Sequence, residues 1–508
     1  MRAAVIACLA ATCAFPLGCG KGGGKPVDPG PDVQIVSDSA RVRLEDPHPA
    51  ATPWLVDGKV QLVAARGEKL GFQVLHRTQG PVTLTITARS VLVRGYSAES
   101  FKVTRPSTEM YGGGREGTFA DALSRTNIPL TKPAYFEIDV SSRAETGTFQ
   151  GELIVGDPML KTDKHFPVTL TILPVTLGKS TLPVWAYADP RELAWAAGPP
   201  PTAPSDAEKE CAEVFAEYGV TLMPDLRLEW WPARKPPETS NLKDLPVVIP
   251  TDPALAGDAV KAWIAATKDS GYVPFAIPID EPATDEARAK VVELAKAVRA
   301  AGGGPTTFRY AVTDQPRPEY GDLVDLYISL RVPRSHGGKQ WTYNGAPPRA
   351  GSMVLDALTP GTRTWGWIAH RWAIPVWYVW DALYWHDRHN RKDQPPKALD
   401  PRVDPTSFDN GEDHGNLDGV LAVRHPTTGD CRPTLRLVAL FRGLQDRQLL
   451  AQAAACDPAK TEALAARMVP SALGDAESKG DPSWPTDDSA WELARRELLQ
   501  ILVSCAKP

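Results

Sequence analysis

Between Gln34 and Thr176 apolar and polar residues alternate in short runs broken by turn residues: Val42-Arg43-Leu44, Lys59-Val60-Gln61-Leu62-Val63, Leu70-Gly71-Phe72-Gln73-Val74-Leu75, Val82-Thr83-Leu84-Thr85-Ile86-Thr87, Phe136-Glu137-Ile138-Asp139-Val140, Gly151-Glu152-Leu153-Ile154-Val155 and Val168-Thr169-Leu170-Thr171-Ile172. A period of two sends successive side chains to opposite faces, so each run reads as a half-buried strand. Short strands at this spacing predict an N-terminal all-β sandwich over residues 34–179. After Pro183-Val184-Trp185-Ala186-Tyr187 the texture changes to apolar strands alternating with helical stretches. The strand candidates are Val220-Thr221-Leu222-Met223, Val273-Pro274-Phe275-Ala276-Ile277, Phe308-Arg309-Tyr310-Ala311-Val312, Leu323-Val324-Asp325-Leu326-Tyr327-Ile328 and Met353-Val354-Leu355, while Asp258 to Thr267 and Asp285 to Ala300 have helical periodicity. This alternation predicts a parallel (β/α)8-type (TIM-like) barrel over 180–433, with Gly198 to Pro204 as a loop inside it. From Thr434 onward Leu435, Leu437, Val438, Leu440, Phe441, Leu444, Leu449 and Leu450 form a broad apolar face, and Ala490 to Leu502 forms another. Residues 434–508 are therefore expected as helices packed on the barrel, which makes the chain multidomain.

The first residues follow a different rule. Arg2, the apolar run Ala3 to Ala14 and Leu17-Gly18-Cys19 read as a lipoprotein-type signal over 1–19, too short to span a bilayer. Cys19 is the expected lipidation site, and the Gly-rich 20–33 the expected flexible tether. Pro16 stands where such a signal usually carries Leu, which keeps a simply secreted protein as the second reading. Export permits disulfides among Cys211, Cys431, Cys456 and Cys505, in any of three pairings, and their wide spacing argues against zinc. The formal charge of -5 over 508 residues comes with no basic block, so a nucleic-acid partner is not expected.

The chemistry concentrates in Ile277-Pro278-Ile279-Asp280-Glu281-Pro282, at the end of an apolar run. Neighbouring carboxyls resist ionising together, which keeps one of them protonated nearer neutrality. A regular strand would send the two side chains to opposite faces, but Pro282 biases Glu281 toward a turn and cannot continue a ladder. Asp280 and Glu281 are thus candidate catalytic acids at the carboxyl end of a barrel strand. The competing reading makes Asp280 a helix cap and Glu281 a solvated side chain.

Fifteen tryptophans are unusual, and six of them, Trp365, Trp367, Trp372, Trp377, Trp380 and Trp385, crowd one segment with Tyr378 and Tyr384. At least half are expected in the core. Flat rings also stack on the C–H faces of sugars, and Trp380, Tyr384 and Trp385, nearest the following loop, are the candidate platform. Tyr310 is a further candidate hydrogen-bond donor. His386-Asp387-Arg388-His389 lacks a third ligand, and Asp409-Asn410-Gly411-Glu412-Asp413 lacks the calcium-loop alternation, so no metal and no cofactor is expected.

Several segments, in order, resemble glycoside hydrolase family 123 and the related uncharacterised domains that share its catalytic barrel. They are Ala65-Arg66-Gly67-Glu68-Lys69-Leu70, Glu145-Thr146-Gly147-Thr148-Phe149-Gln150-Gly151, Asp280-Glu281-Pro282, Leu383-Tyr384-Trp385, Leu417-Asp418-Gly419 and the stretch from Leu435 to Asp446. The resemblance implies hydrolysis of a terminal β-linked N-acetylhexosamine, N-acetylgalactosamine in the characterised branch, with the substrate's own acetamido oxygen as nucleophile. Glu281 would be the acid and base, and Asp280 would hold the acetamido N–H. The chain departs from the family at Leu417, where the family often has Gly, and at His425-Pro426-Thr427 in place of Tyr-Pro-Gly. A non-catalytic glycan-binding lipoprotein of the same fold is the alternative reading.

Overall fold

The computed structural model describes residues 30–78, 80–125, 133–194, 202–358, 360–387, 397–398 and 400–506. The signal segment, Cys19 and most of the expected tether lie outside these residues, as do most of the Gly198 to Pro204 loop and Arg388 and His389.

Ten strands build the N-terminal part: β1 (Val33–Ser37), β2 (Leu55–Val56), β3 (Lys59–Arg66), β4 (Lys69–His76), β5 (Val82–Ile86), β6 (Val91–Val103), β7 (Gly117–Ser124), β8 (Ala134–Val140), β9 (Gly147–Asp157) and β10 (Thr162–Thr176). They form two five-stranded sheets, ordered β1-β4-β8-β6-β7 and β2-β3-β10-β9-β5. Ile35, Phe72, Val74 and Ile138 from the first sheet share one hydrophobic cluster with Val60, Leu62, Val168 and Leu170 from the second. Burial alternates along β3 and β10, as expected of a sheet with one wet face, whereas β4 is buried along nearly its whole length. The reason is that the first sheet is covered on its other side too, where Leu75, Phe101, Phe119 and Tyr135 join the cluster that holds the C-terminal helices. The expected strand at Val42-Arg43-Leu44 is a loop with one bridge, Arg43 to Phe119. β6, which sequence reading missed, lacks clean alternation and carries a bulge between Glu99 and Ser100.

Eight short strands follow: β11 (Val184–Ala186), β12 (Thr221–Leu222), β13 (Asp244–Pro246), β14 (Val273–Ala276), β15 (Arg309–Val312), β16 (Leu326–Tyr327), β17 (Thr342–Tyr343) and β18 (Trp377–Val379). Every pairing among them is parallel, in two sheets ordered β12-β11-β18-β17 and β13-β14-β15-β16. Parallel bridges Leu226 to Val247 and Ile328 to Trp341 join the edges of one sheet to those of the other. Between strands lie α1 (Pro190–Ala194), α2 (Asp206–Glu217), α3 (Pro253–Thr267), α4 (Asp285–Ala300) and α5 (Thr364–Arg371). The periodic stretches at Asp258 and Asp285 are the helices α3 and α4, opened by the side-chain caps Asp252 and Thr284. Met353-Val354-Leu355 is no strand: it is buried, irregular chain whose Met353 carbonyl accepts from Arg436 at 2.8 Å.

The last helices are α6 (Leu435–Cys456), α7 (Pro458–Met468) and α8 (Asp488–Cys505). Sequence reading gave α6 one apolar face against the barrel, but it is buried on nearly all sides, between α5 and the first sheet. At its crossing with α5, a Cβ on Gly366 would stand 1.7 Å from the Gly443 carbonyl oxygen, so the two backbones meet where only glycine fits. α8 packs against α6, β1 and β10. Disulfides Cys211–Cys431 and Cys456–Cys505 select one of the three pairings left open by the sequence.

Charge, not only apolar contact, crosses this interface. Arg436 of α6, fully buried, places its guanidinium 2.7 Å from Asp121 of β7 and also donates to the carbonyls of Met353 and Leu417. Glu68, in the turn between β3 and β4, accepts from the Ala65 N–H at 2.8 Å, from Arg442 at 3.2 Å and from Arg495 at 2.9 Å. Arg495 also donates to Glu492, whose carboxyl is held well below the usual range by Arg495, Arg496 and Arg442 against the opposing effect of burial. Arg363 donates to Asp446, which accepts the Trp367 indole as well.

Removing one member of such a set leaves the others charged and dry. Glu68→Ala is expected to cost about 3–5 kcal/mol in chemical denaturation, whereas Glu145→Ala, at an exposed turn, should stay within about 0.5 kcal/mol of the parent.

Candidate active site

β14 ends at Ala276, and Pro278 offers no N–H to a ladder, so the chain leaves the sheet just before the acid pair. Thr284, not Asp280, caps α4: its hydroxyl accepts the Ala287 N–H at 3.1 Å. The capping role weighed for Asp280 is thus taken by another residue. Glu281 has φ of +41°, a left-handed conformation that a residue with a Cβ adopts at a cost and only where its surroundings hold it. They do so through Thr313, which follows β15. Its hydroxyl accepts the Glu281 N–H at 2.6 Å and donates to Asp280 Oδ1 at 2.5 Å. Tyr343, the last residue of β17, donates its phenol to Glu281 Oε1 at 2.5 Å. Both acids remain exposed to solvent.

A third carboxyl stands nearby. Asp225, three residues past β12, has its acid pushed up to about 7, first by burial and then by the negative charge of Asp280. The Tyr378 phenol is raised well above its usual range by burial and then by Asp225 and Asp280 together, and the Tyr343 phenol is raised by burial, Glu281 and Asp280. Tyr378 stacks on Trp185 with centroids 4.2 Å apart and lies 6.3 Å from Tyr343. Asp225, Asp280, Thr313 and Tyr343 all follow or end parallel strands, so the cluster occupies the carboxyl end of the sheets. Among the described residues no group of three or more His, Cys, Asp or Glu is arranged to hold a metal ion.

A second corner adjoins through Trp380, whose N–H donates to the Asn344 side chain at 3.0 Å, one residue beyond Tyr343. The half-buried Trp380 ring lies 5.3 Å from Tyr384, and its side chain donates to Asp418. Asp418 also accepts the Tyr111 hydroxyl at 2.9 Å, and burial pushes its carboxyl up to about 6. Tyr111 lies between β6 and β7, so the N-terminal part reaches this corner. Asn344 at φ +47° and Leu417 at φ +51° add two more strained backbones beside the site.

The residues expected from sequence separate into three groups. Asp280 and Glu281 come together through Thr313 and Tyr343, and Trp380 lies within two hydrogen bonds of them. Tyr310 does not join them. It sits mid-strand with 0% exposure, its hydroxyl is buried without a partner among the described residues, and its phenol is pushed up by burial and Tyr320. Thr313, just beyond the strand, reaches the acids instead. Tyr384 and Trp385 are also core, at 1% and 6% exposure. They line a small cavity of about 190 Å³ with His425 and Pro426, and Trp385 donates to the Ala422 carbonyl. Trp365, Trp367, Trp372 and Trp377 are buried as well, which leaves Trp380 as the partly open ring of the six. Two site residues carried a signal that was passed over. Met223-Pro224-Asp225 repeats the strand, proline and acid arrangement of the main pair, and Trp341-Thr342-Tyr343-Asn344-Gly345 is a short β-prone run ended by a turn.

No family model matches the sequence, and no curated protein matches it in a sequence search. Among solved structures, a Parabacteroides merdae beta-glucuronidase covers 68% of this chain and 47% of its own at 11% identity, with a TM-score of 0.24 that carries no argument. A family 123 glycoside hydrolase from Clostridium perfringens, solved to detail glycolipid glycan hydrolysis, aligns over 92% of this chain and 97% of its own, with a TM-score of 0.60 and 11% identity. At that identity the likeness speaks for fold alone, and the chain has the overall fold of this family 123 glycoside hydrolase.

Proposed function

We propose that the protein is a glycoside hydrolase that removes a terminal β-linked N-acetylhexosamine, N-acetylgalactosamine-like, by a retaining, substrate-assisted mechanism. The observation that carries this reading is the Thr313 hydroxyl, which ties the Glu281 backbone to the Asp280 carboxylate. Adjacent acids fixed in this way cannot straddle an anomeric carbon from opposite faces, as an enzyme nucleophile paired with an acid requires. An acetamido oxygen of the sugar removes that requirement. As it closes on the anomeric carbon, the bond to the aglycone oxygen breaks and Glu281 gives that oxygen its proton. Asp280 accepts the acetamido N–H and stabilises the positive charge of the oxazolinium-like intermediate. Water then opens the ring, Glu281 recovers a proton, and the β configuration is restored. The Tyr343 phenol orients Glu281 throughout. Trp380 supplies the ring for the sugar's apolar face.

The architecture supports this reading. The two parallel sheets, joined by bridges at both pairs of edges, are proposed to close as a (β/α)8-type barrel, and the two N-terminal sheets with their shared cluster as a β-sandwich. Two disulfides fit an exported chain, proposed here to be held at a membrane by lipid on Cys19.

Chromogenic β-N-acetylhexosaminides test the chemistry. Glu281→Gln is expected to lower kcat by roughly 10²–10⁴, and Asp280→Asn by roughly 10²–10³ with no gain in acetamido-free substrates. Full activity in Glu281→Gln would end the assignment, and glycan binding without turnover by the parent would favour the non-catalytic reading. Asp225 gives a test that needs no substrate. Its acid titrates near 7 when folded and near 4 when unfolded, so between those values the folded chain holds a proton that the unfolded chain has lost, and stability falls as pH rises through 7. Asp225→Asn is therefore expected to match the parent at pH 4 and to melt several degrees above it at pH 8.

A further inference from the structure

The turn between β9 and β10 presents two large apolar side chains to water. Met159 is 92% and Leu160 69% exposed. The turn is built to hold them there: the Asp157 carboxylate accepts the N–H groups of both, at 3.0 and 3.1 Å, and Lys161 turns the chain back at φ +52°. Such a two-residue convex tip has too little area for a protein partner, since a stable interface covers about 800 Å² on each side. A fluid bilayer interface needs no matching shape.

The position of the tip names the occupant. Lys164, on β10, pairs at 2.7 Å with Asp32, and the Asp32 carbonyl accepts the Arg77 N–H, so the start of the described chain lies at the same edge as this hairpin. At about 3.3 Å per residue the tip is no more than ~17 Å from that pairing. As a flexible Gly-rich coil, which is the reading its composition gives, the stretch from Cys19 to Gly30 would have a root-mean-square reach of about 18 Å. A lipid on Cys19 would therefore hold this edge of the protein within reach of the membrane.

We infer that the β9–β10 hairpin is a membrane-docking tip that inserts Met159 and Leu160 into the interface of a phospholipid bilayer beside the lipidated N-terminus. The inference rests on the lipid-anchored reading for its geometry. Lys161 and Lys164 are matched by Asp157 and Asp163, so the insertion is apolar in origin and insensitive to salt and to anionic lipid.

Two arms separate the hairpin from the anchor. In the first, the full chain with Cys19→Ser is mixed with phosphatidylethanolamine–phosphatidylglycerol vesicles and sedimented at low and high salt. Weak, salt-independent partitioning is expected, reduced roughly tenfold or more by Met159→Asp with Leu160→Asp. An unchanged partition in that variant, or none by either chain, overturns the inference. In the second, the unsubstituted Cys19 chain carries Met159→Cys labelled with a polarity-sensitive fluorophore, and mass spectrometry reports lipid on Cys19. Lipidated protein whose probe stays in water overturns the tip and leaves the anchor standing. An unlipidated Cys19 refutes the anchor, and the sedimentation arm still decides the tip.

Discussion

Arginine burial sets the terms for this fold. Arg363, Arg436, Arg442 and Arg495 are each at most 3% exposed, and a guanidinium cannot shed its proton to escape the loss of water. Each must find carboxylate and carbonyl partners in fixed directions, and distant parts of the chain supply them: Asp121 of β7 for Arg436, Glu68 of the β3–β4 turn for Arg442 and Arg495, and Asp446 of α6 for Arg363. A displaced arrangement of sheet and helices would strand several charges at once. Apolar packing alone tolerates small shifts, so the directional pairs specify how the parts meet.

That constraint reaches the site. Arg436 binds the Leu417 carbonyl, and Leu417 is the strained residue before Asp418, whose carboxyl gathers Tyr111 and Trp380. The same guanidinium that locks a strand of the N-terminal sheet to α6 therefore helps hold the loop that positions the half-open ring. On the other side, Glu281 takes its left-handed turn because Thr313 and Tyr343 hold it there, two side chains at the ends of two different parallel strands, β15 and β17. Strain at Glu281, Asn344 and Leu417 is thus stabilised by groups that come from separate elements, a pattern common at sites that must be rigid before a ligand arrives.

Sequence made some of this legible and hid the rest for identifiable reasons. Period-two runs marked six of the ten N-terminal strands because polar residues interrupt the apolar ones at alternate positions, even in β4 and β8 where both faces are covered, whereas β6 was hidden by its bulge. Helices α3 and α4 announced themselves by periodicity, while their caps, Asp252 and Thr284, were seen only in the structure. Strands of two or three residues, such as β13, β17 and β18, are too short to show a period at all. In the site, the adjacent acids were visible because they are contiguous in the chain. Asp225, Thr313 and Tyr343 join them only through parallel pairing, and chain order does not encode which strand ends become neighbours. The aromatic candidates failed for another reason: Tyr384 and Trp385 have the composition of a binding platform and the burial of a core, and composition does not separate the two.

The Thr313 hydroxyl has one further consequence. A backbone amide can only donate, so the bond from Glu281 forces the threonine oxygen to receive there, and its single hydrogen must go to Asp280 Oδ1. The two oxygens of that carboxyl are thereby made unequal, one engaged by protein and the other left as the seat for any proton or ligand donor. Tyr343 imposes the same polarity on Oε1 of Glu281. The pair therefore meets an incoming molecule already sorted, atom by atom, into scaffold oxygens and working oxygens.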